Sequence, residues 1–323
     1  MKYSSRNTQS VGAKQARWIT RVSTIIVVVV VVTVIGLVAS GIWDAFPFGV
    51  TRQDGELVSL WRSGEYEEVV DRSDGLLDQA PFHPQALTFG GFGHFYIGVD
   101  ALTRERQMEH LDRSITLLRK ANHLDRAPLA RERNYILAKA YYHKGETYMD
   151  QAVRYMERSI EQGYQAADSQ SYLGLAYASL GRYQESVSWF QKAIEHAEQN
   201  DATQDANAIR IKAAESFAAM EDYDTAANQL RVAVARLNDR FLELMARTQL
   251  VLILVQAEEY QAAERIAEET VDRFPESADA HYYLGVVYSR TERNVQARYQ
   301  WRTARRIDPA HTGAQESLAG REF

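Results

Sequence analysis

The sequence predicts an all-α chain, a solenoid of about seven stacked helical hairpins preceded by one N-terminal transmembrane helix. Three observations carry this. The stretch from Ser169 to Ala193 reads as two amphipathic helices folded back at Gly181, and its pattern recurs on both sides at a nearly constant period. Beyond the break at Phe46 to Val50 there is no compositional linker, no low-complexity tract and only five further prolines, so the rest reads as one continuous array. Between Arg21 and Asp44 lie 22 uncharged residues, VSTIIVVVVVVTVIGLVASGIW. At a rise of about 1.5 Å per residue that is enough to cross a hydrocarbon layer of about 30 Å.

Taken in order, residues 1–17 are polar and rich in Ser, Asn and Gln, and are expected to form a short disordered tail. Residues 18–43 are the expected anchor, with Trp18 and Trp43 at the two interfaces. Lys2, Arg6, Lys14, Arg17 and Arg21 precede the span, and Asp44, Asp54 and Glu56 follow it. That asymmetry puts the N-terminus in the cytoplasm and the body on the far side. A cleavable signal peptide is the alternative, with Val38, Ala39 and Ser40 before Gly41. The apolar segment exceeds the usual signal length of about 7–15 residues, so an uncleaved anchor is preferred. Gly36 and Ser40 form a small-xxx-small pair through which two anchors could pack, a weak pointer to a homo-oligomer. Residues 44–50 are a linker and 51–323 the array.

The first hairpin has Leu57 and Leu60, then Gly64, Tyr66, Val69 and Leu76, ending at Pro81. The second has Leu87, Gly91 and His94, but its second helix, with Ser114, Leu118 and Ala121, arrives about ten residues late, after extra residues from Gly98 to Gln107. The third pairs Ala140 and His143 with Ala152, Met156 and Ser159. In the fourth, Leu173, Gly174 and Tyr177 share one face, and Tyr183, Ser186, Phe190 and Ala193 form the facing stripe. Ala214 and Phe217 followed by Tyr223, Ala226, Leu230 and Ala233 make the fifth. The sixth has Leu250, Val251 and Leu254, then Tyr260, Ala263 and Ala267, closed by Pro275. The seventh has Ala280, Leu284, Gly285 and Tyr288, then Ala297, Trp301 and Ala304, closed by Pro309; Ala310 to Ala319 is expected to be a cap helix.

This run of large, leucine and small residues in one helix, then small, aromatic and small in the next, resembles the tetratricopeptide repeat (TPR). The resemblance implies a right-handed α-solenoid in which the first helix of each hairpin lines a concave face. It also implies a protein-binding module. By helical phase the groove residues not used for packing include Trp61, Phe92, Phe95, Tyr96, Tyr141, Lys144, Tyr282 and Arg290. An apolar, aromatic inner surface suits a helix or extended peptide; the alternative is that some of these residues merely complete repeat packing. The lysines and asparagines with which some TPR domains clamp a C-terminal carboxylate are replaced here by residues such as Thr88, Phe92, Ser171, Leu175, Ile211 and Glu215.

The chemistry expected is correspondingly bland. No cysteine is present, which excludes disulfides, thiolate metal sites and cysteine nucleophiles. The eight histidines are scattered, with no HExxH; His94 and His143 sit in the repeat's aromatic slot and are expected to be packed rather than metal ligands. Gly90, Gly91 and Gly93 lack the Lys-Ser/Thr of a phosphate loop and are expected to let helices touch or to loosen that hairpin. No enzyme, cofactor or metal site is expected. Beyond residue 43 the chain carries 32 basic against 43 acidic residues, so general nucleic-acid binding is not expected either. One local exception is a basic face, Arg298, Arg302, Arg305 and Arg306, readable as a docking patch for an acidic partner or as a solvated surface. The leading expectation is therefore a membrane-anchored TPR scaffold of bacterial-envelope type, in the inner membrane with its array in the periplasm. It resembles the anchored TPR proteins attached to flagellar motors or secretion translocons. The alternative is a chaperone or receptor capturing client proteins at a membrane.

Overall fold

The computed structural model describes residues 52–164 and 166–320; the predicted tail, membrane span and linker lie outside them. The described residues form fifteen α-helices and no strand. They pair as seven hairpins: α1 (Arg52–Ser63) with α2 (Tyr66–Gln79), α3 (Pro84–Val99) with α4 (Arg104–Asn122), and α5 (Ala130–Lys144) with α6 (Met149–Glu161). Then follow α7 (Ser169–Ser179) with α8 (Tyr183–Gln199), α9 (Thr203–Ala219) with α10 (Tyr223–Arg236), α11 (Arg240–Gln256) with α12 (Tyr260–Arg273), and α13 (Ala278–Arg290) with α14 (Asn294–Ile307). A cap, α15 (Thr312–Leu318), closes the array. No helix among the described residues is long and apolar enough to cross a membrane.

Each helix packs on the next, and the first helices of neighbouring hairpins also approach one another, as α1 does α3, α3 does α5 and α11 does α13. Successive second helices make no comparable contact among the described residues. The array therefore curves with its first helices on the inside. Small residues permit the close approach within each hairpin. A Cβ on Gly174 would lie 2.6 Å from the Phe190 ring, and one on Gly285 would lie 2.4 Å from Nε1 of Trp301. In the second hairpin Gly91 does the same against Leu118 of α4, while Gly90 lets α3 approach Ser73 of α2 in the preceding hairpin. Those glycines are packing devices, as the sequence suggested.

Five of the seven hairpins turn in the same way. After α7, Gly181 adopts φ of 70°, its N–H donates to Ala178 and that of Arg182 to Tyr177 across 2.9 Å. This is the paired backbone closure of a Schellman C-terminus. Gly64, Glu221, Glu258 and Glu292 occupy the equivalent position at φ of 77°, 62°, 60° and 61°. Hairpins two and three depart from it. The extra residues of hairpin two are absorbed mostly as helix, in a 16-residue α3 and a 19-residue α4, leaving a short turn at 100–103 rather than a ten-residue insertion. In hairpin three Gly145 is followed by a 3₁₀ turn, Glu146–Tyr148. There the guanidinium of Arg104, at the start of α4, donates to the carbonyls of His143 and Lys144, both at 3.1 Å. A side chain of the preceding hairpin thus closes this turn.

Candidate functional site

The inner face of hairpins one to four carries a continuous aromatic surface. At its start Trp61 of α1 lies 5.3 Å from Tyr66 and meets Tyr96 of α3 edge-on at 5.4 Å, while Tyr66 and Tyr96 stack at 4.8 Å. Farther along, Tyr142 of α5 and Tyr172 of α7 meet edge-on at 5.1 Å, and the Tyr172 hydroxyl lies 3.3 Å from Nε2 of His143. The α5 residues involved, Tyr135, Lys139 and Tyr142, follow the i, i+4, i+7 spacing of one helical face.

A charged pair sits within these rings. Lys139 Nζ donates to Asp168 Oδ2 at 2.9 Å and to the Tyr135 hydroxyl at 3.1 Å, and Tyr135 in turn donates to Asp168 Oδ1 at 2.7 Å. The ammonium also lies over the rings of Tyr172 at 4.7 Å and Tyr135 at 5.0 Å, a favourable placement for a cation. Burial, helped by the Asp168 charge, pushes the Tyr172 phenol up to about 12, and Tyr164 likewise reaches about 12 with burial as its main cause. Both are neutral donors at physiological pH. Asp168 remains 42% exposed with acceptor capacity to spare. The arrangement can accept an N–H or hydroxyl donor at Asp168 and stack flat or apolar groups beside it. It offers no nucleophile–base pair.

A second concavity, of about 930 Å³, opens between α11, α13 and the cap. Leu252, Val255, Tyr283 and Val286 give it an apolar wall, and Asp279, Arg290 and His311 line its polar side, with His311 Nε2 3.1 Å from Asp279.

The sequence-predicted groove residues divide on placement. Trp61 and Tyr96 lie in the aromatic surface, and Tyr282 and Arg290 both border the C-terminal concavity. Phe92, Phe95 and Tyr141 are buried packing residues rather than open lining. Tyr141 stacks on Tyr155 of α6 at 5.6 Å, inside its own hairpin. Lys144 turns away from the inner face to pair with Asp112 of α4 and cover the Tyr148 ring. Tyr282, although it borders the concavity, is 7% exposed beneath the cap; its neighbour Tyr283 is the more open. Reading the phase one residue early selected Tyr141 and Tyr282 where Tyr142 and Tyr283 face inward. The Lys139–Asp168 pair was missed because its partners lie 29 residues apart, on separate hairpins. Arg298, Arg302, Arg305 and Arg306 are all exposed on α14. His94 is buried, its Nδ1 3.0 Å from that of His110 on α4.

Residues 149–203 and 248–311 match the tetratricopeptide repeat family model. The described residues therefore form an all-α solenoid of helical hairpins, two stretches of which are similar to the tetratricopeptide repeat. The C-terminal part of a TPR repeat-containing protein from Cytophaga hutchinsonii has a similar fold, with a TM-score of 0.60 and 12% identity over 82% of this chain and 99% of that one. BtubC from P. vanneervenii superposes with a TM-score of 0.50 and 17% identity over 65% of this chain and 92% of that one. No curated protein matches the sequence.

Proposed function

We propose that this chain is a non-enzymatic scaffold whose inner face binds a helical or extended segment of a partner protein, and that residues 18–43 hold it in a bacterial inner membrane with the array in the periplasm. The observation that carries the binding reading is the Lys139–Asp168 pair set among Tyr96, Tyr135 and Tyr172 on a concave face. Rigid aromatics supply contact area at low entropic cost, and a partly exposed carboxylate gives direction and register. The membrane reading rests on the uncharged span and on the basic residues that precede it.

A photo-reactive residue at Tyr142 or Tyr172 in the full-length chain tests the groove, since both are half-exposed on the inner face. The expected result is a few defined adducts, lost when Asp168→Asn and Lys139→Gln are combined and absent when the probe is placed instead at exposed Gln191 on the outer face. Many substoichiometric adducts would favour the chaperone or receptor reading. A fusion reporter after Phe323 that is active only in the cytoplasm would refute the periplasmic placement.

A further inference from the structure

The two ends of the array carry opposite charge on their outer helices. Helix α14 has four exposed arginines, Arg298, Arg302, Arg305 and Arg306, and no acidic residue. None of the four makes an ion pair among the described residues, whereas Arg72, Arg113, Arg182, Arg210, Arg273 and Arg293 are each paired. Two apolar side chains stand on the same helix, Val295 at 83% and Tyr299 at 66% exposure. Helix α2, in the first hairpin, is the reverse. It carries Glu67, Glu68, Asp71, Asp74 and Asp78 against one arginine, and that arginine is engaged by Glu56. Of these acids Asp74 has a long pairing, 3.7 Å to Arg113, between largely exposed side chains. Phe82, just beyond the end of α2, is 66% exposed.

The spacings agree. Arg298, Arg302 and Arg305 step by four and then three residues along α14, and Asp78, Asp74 and Asp71 step by four and then three when α2 is read backwards. Both sets keep to one face of their helix. With the helices antiparallel, Arg298 meets Asp78, Arg302 meets Asp74 and Arg305 meets Asp71. The same register brings the exposed Val295 towards the exposed Phe82, and the exposed Tyr299 towards Leu77, which is itself partly buried.

We propose that the α14 face docks onto the α2 face of a second copy of this chain. Because the two faces belong to different hairpins, the contact is head-to-tail and leaves a free α2 at one end and a free α14 at the other, so copies can add in series. The attraction is between exposed charges, with a screening length of about 8 Å at physiological ionic strength, so the assembly is salt-sensitive.

The absence of cysteine makes the test clean. A full-length chain carrying both Phe82→Cys and Val295→Cys, purified in mild detergent and oxidised, is expected to give a ladder of disulfide-linked oligomers at low salt. Arg298→Glu, Arg302→Glu and Arg305→Glu together should cut the linked fraction by about tenfold or more, as should Asp71→Arg, Asp74→Arg and Asp78→Arg together. Combining both reversals in one chain should restore the ladder. A mixture of the two singly reversed chains should also link, although neither does so alone. Absence of the ladder, or a ladder indifferent to charge reversal and to about 0.5 M salt, would overturn the proposal. So would arginine-dependent binding to anionic phospholipid vesicles without self-association, which would assign the face to a membrane.

Discussion

At the scale of single residues, His94 shows what happens when the aromatic slot of the repeat is filled by a titratable ring. Its pKa falls from 6.5 to about 4, first through burial and then through the neighbouring His110 and Arg113 charges. The unfolded chain takes up a proton below about 6.5 that the folded chain refuses until about 4, so stability conferred by the neutral ring is lost as pH falls across that window. At pH 5 the loss should be about 2 kcal/mol relative to pH 7.5, and His94→Gln should flatten the pH dependence of the urea midpoint. An unchanged slope in that variant would assign the effect elsewhere. Gly285 makes the complementary point about space. Gly285→Ala drives a methyl into the Trp301 indole, whose Nε1 donates to the Tyr282 carbonyl at 3.3 Å. It should cost about 1–3 kcal/mol in chemical denaturation. That Gly285 and Trp301 face each other was legible in the sequence, because their spacing matches Gly174 and Phe190. Which of two adjacent tyrosines looks into the groove was not, since a shift of one position is only about 100° of helical phase.

At the scale of the helical hairpin, the turns separate what was predictable from what was not. Gly64 and Gly181 announce their turns, but Glu221, Glu258 and Glu292 hold the same left-handed backbone without a residue suited to it. The repeat pattern, not local turn chemistry, located those hairpins. Replacing Glu258 by Gly should therefore raise stability by about 0.5–1 kcal/mol, because the strain relieved exceeds the entropy added to the unfolded chain. A lower unfolding midpoint in Glu258→Gly would show that the side chain contributes something the turn geometry does not reveal. In hairpin two, periodicity set the start of α4 too late. Its first turn, Arg104 to Gln107, is polar and has no apolar stripe to mark it, although Thr103 caps it by accepting from the N–H of Arg106. Clamping by Arg104 of carbonyls 39 and 40 residues away leaves no local pattern at all.

For the molecule as a whole, stability is distributed as a chain of neighbour contacts. One large apolar cluster runs from Leu57 to Tyr177 and another from Ile211 to Val287, with a small cluster of Ile194, Ala197 and Ala206 between them. In such an array a lesion is felt by its neighbours and little beyond. Gly285→Ala should accelerate amide exchange in α13, α14 and α15 while leaving α1 to α6 protected; uniform acceleration would mean that the array unfolds as a single unit. The number of units and their order were legible because each repeats a packing rule. The groove was legible only in outline, because its charged pair joins residues of different hairpins.

The Arg104 clasp has a mechanical consequence. When an array is pulled at its two ends, every joint bears the same tension, and the joint with the weakest closure yields first. Five turns are closed by paired backbone bonds, but that of hairpin three adds to its own backbone bonds, Gly145 N–H to the Tyr142 carbonyl and Tyr148 N–H to that of Gly145, a guanidinium reaching across from hairpin two. Lys139 and Asp168 lie on opposite sides of that turn. Tension that pulled Arg104 off these carbonyls would therefore load the turn that sets Lys139 against Asp168, so the clasp couples stretching of the array to its charged pair.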